Sequence, residues 1–230
     1  MSYANGPRIV TDGLVLHLDA ANRKSYPGSG STWYDLSGNN NHGLITNAIF
    51  NASNNGVFNF DGSGDYVDIG SGVVSAGNLS VFAWIYPTSF TSNGWNIIVH
   101  KWFNANQTAA PDFHYAIRSE NLILKQNIYT TSNSNVYANS SDYSINTWYY
   151  VGFTLINNGL LSFYKNGIQD GTASGISRST KTSILRIGDL RSDPHGLTGY
   201  IPTVNIYSRA LSANEVQQNY NALKGRYGLT

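Results

Sequence analysis

Residues 79–86 are apolar at every position except Ser80, and Pro87 closes the run. Side chains of an extended chain alternate with a period of two, so Val81, Ala83 and Ile85 fall on one face and Phe82, Trp84 and Tyr86 on the other. A strand that is apolar on both faces belongs in the middle of a sheet. Pro87, which has no N–H to give to a ladder, ends it.

The same period recurs along the chain. Leu14, Leu16 and Leu18 alternate with Val15, His17 and Asp19. Residues 57–60 and 66–69 flank Asp61-Gly62-Ser63-Gly64-Asp65, a tight turn in which glycine relieves positive φ. Residues 97–102, 113–118, 122–126 and 148–155 continue the series. Residues 160–164 and 168–171 surround Lys165-Asn166-Gly167, and Asn-Gly is the strongest short hairpin signal. Ile184–Gly188 and residues 200–207 close it, giving about a dozen strands at spacings typical of an antiparallel sandwich. Pro202 removes a ladder donor, which places its strand at an edge or makes it bulged.

One helix is marked, over residues 213–223. Ser212 and Glu215 form a capping box, Leu211 and Val216 occupy the positions of a hydrophobic staple, and Gly225 supplies a stop. The stretches 25–41, 70–78, 103–111 and 131–146 read as loops between strands. No internal repeat is visible, and the organisation expected is an arm over 1–12, a single domain over 13–223 and a tail over 224–230.

Composition agrees with a loop-rich all-β chain: 28 Asn, 26 Ser, 23 Gly and 16 Thr stand among 230 residues. Charged residues make up 12%, yet 41% are hydrophobic and 13% aromatic, enough for a sizeable core and against intrinsic disorder. The net charge of +1 is scattered singly, with no basic stripe to track phosphates, so nucleic acid is not an expected partner. No apolar run approaches the roughly 18 residues of a membrane span, and the first twelve residues carry no secretory signal. Cysteine is absent, which removes disulfides, thiolate metal sites and a cysteine nucleophile.

Catalytic signatures are equally scarce. Glycoside hydrolysis needs two carboxylates roughly 5–9.5 Å apart. Glutamate occurs only as Glu215, used by the capping box, and Glu120, alone in a turn, while most aspartates stand beside Gly, Asn or Ser in turns. There is no nucleophile elbow, no His-Glu-x-x-His pair and no phosphate-binding loop. The expected role is therefore non-enzymatic and needs no organic cofactor. Calcium, which takes clustered loop oxygens, has candidate ligands in Asp19, Asp35, Asp61 and Asp65.

Surplus aromatics point to binding, since a flat ring can carry the apolar face of a pyranose while Asn, Asp and backbone groups meet its hydroxyls. The candidates are Trp95, Trp102, Phe103, Trp33, Tyr34 and Tyr137, with Tyr143 beside them. Trp84 and Trp148 are expected in the core.

Taken together, Gly13-Leu14-Val15-Leu16-His17-Leu18-Asp19-Ala20, Trp33-Tyr34-Asp35-Leu36-Ser37-Gly38-Asn39, Phe60-Asp61-Gly62 and Asp65-Tyr66-Val67 resemble the laminin-G-like, concanavalin A-like jelly-roll family. Trp148-Tyr149-Tyr150-Val151, Phe163-Tyr164-Lys165-Asn166-Gly167 and Ile206-Tyr207-Ser208-Arg209-Ala210-Leu211-Ser212 resemble its central strand, hairpin and closing strand. The fold implied is an antiparallel jelly-roll β-sandwich with one short C-terminal helix. Many relatives carry an acidic pair after the glycine of the closing strand. Gly199-Tyr200-Ile201-Pro202-Thr203-Val204 has none, so no metal role carries over to that position.

The opening Asp19-Ala20-Ala21-Asn22 with Ser25-Tyr26-Pro27-Gly28-Ser29-Gly30, and the closing residues 218–227, are similar to modules of tailed-bacteriophage virion proteins. That resemblance implies a structural or adhesive virion surface protein, a capsid decoration or tail-associated module. It would be made in the host cytoplasm, bind other virion proteins and form a homo-oligomer. A host-glycan-binding, lectin-like adhesin is the alternative, and a glycan hydrolase the third reading.

Overall fold

Short extended segments separated by Gly- and Asn-rich turns dominate the computed structural model, which describes residues 7–73, 77–91, 94–102, 113–120, 123–130, 135–138, 143–176, 178, 184–188 and 195–230. The strands are β1 (Leu14–Asp19), β2 (Thr32–Trp33), β3 (Gly43–Thr46), β4 (Ile49–Asn51), β5 (Val57–Asp61), β6 (Tyr66–Gly70), β7 (Leu79–Ser89) and β8 (Trp95–Trp102). They continue as β9 (Phe113–Glu120), β10 (Ile123–Thr130), β11 (Asn135–Tyr137), β12 (Tyr149–Leu155), β13 (Gly159–Lys165), β14 (Ile168–Ile176), β15 (Ile184–Gly188) and β16 (Thr198–Tyr207). Helix α1 (Ala213–Leu223) follows.

Two antiparallel sheets result. One runs β14-β13-β12-β7-β16-β5-β4 with β1 also paired to β16, and the other runs β11-β10-β9-β8-β15-β6-β3-β2. As the two-faced pattern requires, β7 lies inside its sheet between β12 and β16. Val81, Ala83 and Ile85 join Val151, Phe153, Leu155, Val204 and Ile206 in the core between the sheets.

The other face of β7 is covered by a second layer. Phe82 and Trp84 pack with Tyr150, Tyr207, Leu211 and Val216, and with Val10 and Tyr227 from the segments expected as arm and tail. The Tyr227 ring lies 4.4 Å from Trp84 and 4.3 Å from Trp148. Trp84 and Trp148 are thus buried, as expected.

The capping box forms as read. The Ser212 side chain accepts from the Glu215 N–H, and the Glu215 carboxylate accepts from the Ser212 N–H at 2.8 Å. The Arg209 guanidinium beside Glu215, with these hydrogen bonds, holds its carboxyl down at about 2. The stop differs, because the chain continues from α1 into a 3-10 turn over Lys224–Tyr227, and the left-handed residue is Gly228 at φ 73°, not Gly225.

Pro202 sits in a bulge and not at an edge. Strand β16 pairs with β5 through Thr198, Gly199, Tyr200 and Ile201, and with β1 from Thr203 to Tyr207. The proline falls at this change of partner, where the register against β7 also shifts. Two segments read as loops contain strands: β2 lies within 25–41 and β11 within 131–146.

Candidate functional site

On the β2-to-β11 sheet, Phe113, Tyr115 and Ile117 of β9, Leu185 and Ile187 of β15, and Val67 and Ile69 of β6 face the core. Strand alternation turns their neighbours to the outer face. Trp95 packs there on Ile97 and Ala116, in a cluster separate from the core. Register carries this row onward, with Ile97 opposite Ala116, Ala116 opposite Asn127 and Asn127 opposite Tyr137. Trp95 and Tyr137 are both half-buried on this face, three strand spacings (about 14 Å) apart across the sheet and two residues (about 7 Å) apart along it.

The neighbouring row is polar. His100 stands opposite Arg186, and Arg186 opposite Asp68. Arg186 donates from Nε at 3.2 Å and Nη2 at 3.1 Å to Asp68 Oδ2, while Asp68 Oδ1 accepts the Gly70 N–H at 2.9 Å. The guanidinium lies 5.0 Å from the centre of the Tyr66 ring. The Arg186 side chain is only 8% exposed, so the cation is held rigidly on the sheet between an aromatic face and a carboxylate.

Of the aromatic candidates, Trp95 and Tyr137 share this face. Trp102 ends β8 opposite Ile184, beside the polar row in register, and Phe103 lies outside the described residues. Trp33 is no platform: it is fully buried in the core, 4.7 Å from the Phe58 ring, and has no face to offer a ligand. Tyr143 is likewise buried, against Tyr149 at 5.0 Å. Tyr34 is exposed and stands edge-on to His42 at 5.2 Å. It follows β2, four strand spacings from Trp95's strand β8, about 19 Å, and two from the strand β6 of Asp68, about 10 Å.

The four aspartates considered for calcium each take part in hydrogen bonds or ion pairs within the chain. Asp19 pairs with Arg226 through both oxygens. Asp35 organises its loop, taking the N–H groups of His17 and Ser37 on Oδ1, and the Asn41 N–H and Ser37 hydroxyl on Oδ2. Asp61 accepts the Ser63 N–H, and Asp65 the Asp61 N–H. Among the described residues no group of three His, Asp or Glu side chains gathers as a metal site.

The family model of the concanavalin A-like lectin/glucanases superfamily matches residues 61–217. No curated protein matches the chain in sequence. Among solved structures, domain 4 of a GH43 extracellular arabinanase from Geobacillus stearothermophilus, in complex with arabinotriose, superposes with TM-score 0.70 at 16% identity, covering 90% of this chain and 98% of that one. The ligand-binding domain of botulinum neurotoxin serotype D, in complex with N-acetylneuraminic acid, gives TM-score 0.67 at 19% identity over 92% of this chain and 51% of that one. Trypanosoma rangeli sialidase, in complex with 2,3-difluorosialic acid, gives 0.71 at 16% identity over 98% of this chain and 36% of that one. At these identities the likeness is one of fold.

Proposed function

This chain belongs to the concanavalin A-like lectin/glucanases superfamily, and on that premise we propose that it is a non-catalytic glycan-binding module whose saccharide lies on the outer face of the β2-to-β11 sheet. The observation that carries this reading is one sheet face on which Trp95 of β8 and the polar row of Arg186, Asp68 and Tyr66 on β15 and β6 both stand, with Tyr137 farther across it on β11. Such a face combines rings for the apolar side of a sugar with fixed polar groups for its hydroxyls. Its Asp68 carboxylate is held by Arg186 and the Gly70 N–H, an arrangement suited to anchoring and not to proton transfer. Two proteins of this fold, the arabinanase domain and the neurotoxin domain, were solved with saccharides, which supports the reading.

The setting we propose is the surface of a tailed-phage particle, in a capsid decoration or tail-associated module. The opening Asp19-Ala20-Ala21-Asn22 and the closing Gln218-Asn219-Tyr220 segments support it. Cryo-electron microscopy of the source particle tests the setting by locating the copies. A glycan array followed by titration tests the binding reading. Trp95→Ala should weaken the best saccharide by tenfold or more, the loss expected on truncating an aromatic anchor, with the melting temperature little changed. An array with no binder overturns the proposal.

A further inference from the structure

Arginine has two donor edges: a side-on edge of Nε with Nη2, and an end-on edge of Nη1 with the outer N–H of Nη2. In Arg186 the side-on edge is filled by Asp68 Oδ2, which accepts from both nitrogens. Among the described residues nothing accepts from the end-on edge. Nη1 is not among the fully buried polar atoms without a partner, so this end of the guanidinium keeps some solvent contact on a side chain otherwise nine-tenths buried. Its position needs no ordering on binding, because Asp68 and the Tyr66 ring already fix the guanidinium plane.

The polar supply of this spot is one-sided. Asp68 Oδ2 already accepts two N–H groups and Oδ1 already accepts the Gly70 N–H, so what remains is chiefly a planar pair of donors. A planar, charge-assisted donor pair is matched best by a carboxylate, which can accept both bonds at once. A neutral hydroxyl can accept one of them and leaves the cation's second donor unmatched.

We propose that Arg186 is a carboxylate receptor on the glycan face and that the saccharide class bound is acidic, a hexuronic or nonulosonic acid residue seated on the end-on edge. This deepens the glycan-binding reading and rests on it. Farther along the adjacent strand β8, the half-buried Trp95 gives another sugar unit of the chain a ring to pack on.

The test is calorimetric titration of the full chain with trigalacturonate and with sialyllactose, each against its methyl ester, which removes the charge and keeps the sugar. The expected result is that one acid binds and its ester binds at least tenfold more weakly; which acid binds identifies the class. Arg186→Lys, which keeps the charge and loses the planar fork, should lose most of that preference while retaining a wild-type melting temperature within a few degrees. Equal binding of acid and ester overturns the carboxylate receptor and leaves the glycan module standing. Binding of neutral array sugars with no binding of either acid does the same. No saccharide binding of any kind overturns both. The comparison of acid with ester uses wild-type protein, so it decides the matter even where the Arg186 variant folds poorly.

Discussion

Arg226 forms a two-pronged ion pair with Asp19: Nη1 lies 2.7 Å from Oδ1 and Nη2 3.0 Å from Oδ2, joining residues 207 apart in the chain. The pair fastens the turn after α1 to the end of β1, and the Asp19 side chain is 7% exposed. Removing one partner of such a pair strands the other charge where water reaches it poorly. Asp19→Asn should therefore lower the unfolding free energy by about 3 kcal/mol, read as a shift of the urea midpoint. A change below about 0.5 kcal/mol would mean that the pair is solvated like a surface salt bridge.

His17 makes stability fall in mild acid. Its Nδ1 lies 2.6 Å from Asn205 Oδ1, and burial holds the imidazole below its ordinary value of 6.5, against the raising effects of Asn205, Asp19 and Asp35. The folded chain thus keeps this ring neutral at a pH where the unfolded chain has begun to protonate it. The contribution is complete above the unfolded value and is lost as pH falls through and below it. Urea midpoints measured from about pH 8 down to about pH 5 should decline for the wild type, and His17→Gln should remove part of that slope. Parallel curves would show that other groups set the acid dependence.

Gly152 in β12 is required for space alone. It stands opposite Phe82 of β7, and a Cβ built on it would lie 2.2 Å from Phe82 Cδ1 and 2.3 Å from the Val81 carbonyl oxygen. The Phe82 ring cannot retreat, since it stacks on Tyr150 at 5.3 Å and packs against Tyr164 at 6.0 Å. Gly152→Ala should cost about 3 kcal/mol by overpacking, with the chemical-denaturation midpoint as the readout.

How far the chain can be read without its structure depends on whether a feature is local. Strand β7 is legible because both of its faces carry their own apolar pattern, and α1 because Ser212 and Glu215 cap it within one turn. Strands β3 and β4 are not, being four and three residues long in a stretch whose Gly43 and Asn47 read as turn residues. Arg186 is the plainest case. In Leu185-Arg186-Ile187 it is merely the outward residue of an alternating strand, and its partner Asp68 is 118 residues away. Only the sheet order β8-β15-β6 sets His100, Arg186 and Asp68 in one row. The aromatic candidates divide on the same principle, because period-two alternation does not say which face of a strand is covered.

Trp33 and Trp95 carry that ambiguity into an experiment. Trp33 is wholly buried against Phe58, at the two-residue β2, whereas Trp95 is half-exposed at the start of β8 and packs on the Ile97 and Ala116 pair apart from the core. Truncating a buried tryptophan leaves a cavity as well as lost contact, so Trp33→Ala should cost about 3–5 kcal/mol. Trp95→Ala removes a ring from the surface and should cost about 1 kcal/mol or less. Saccharide affinity should respond the other way, falling tenfold or more in Trp95→Ala and staying near wild type in Trp33→Phe, a milder core change that keeps the protein folded. Thermal melts and glycan titrations of the three variants separate a tryptophan that builds the sandwich from one that binds on it. Loss of affinity in Trp33→Phe with Trp95→Ala unaffected would move the glycan site from the outer face of β8 to the β2 edge beside Tyr34.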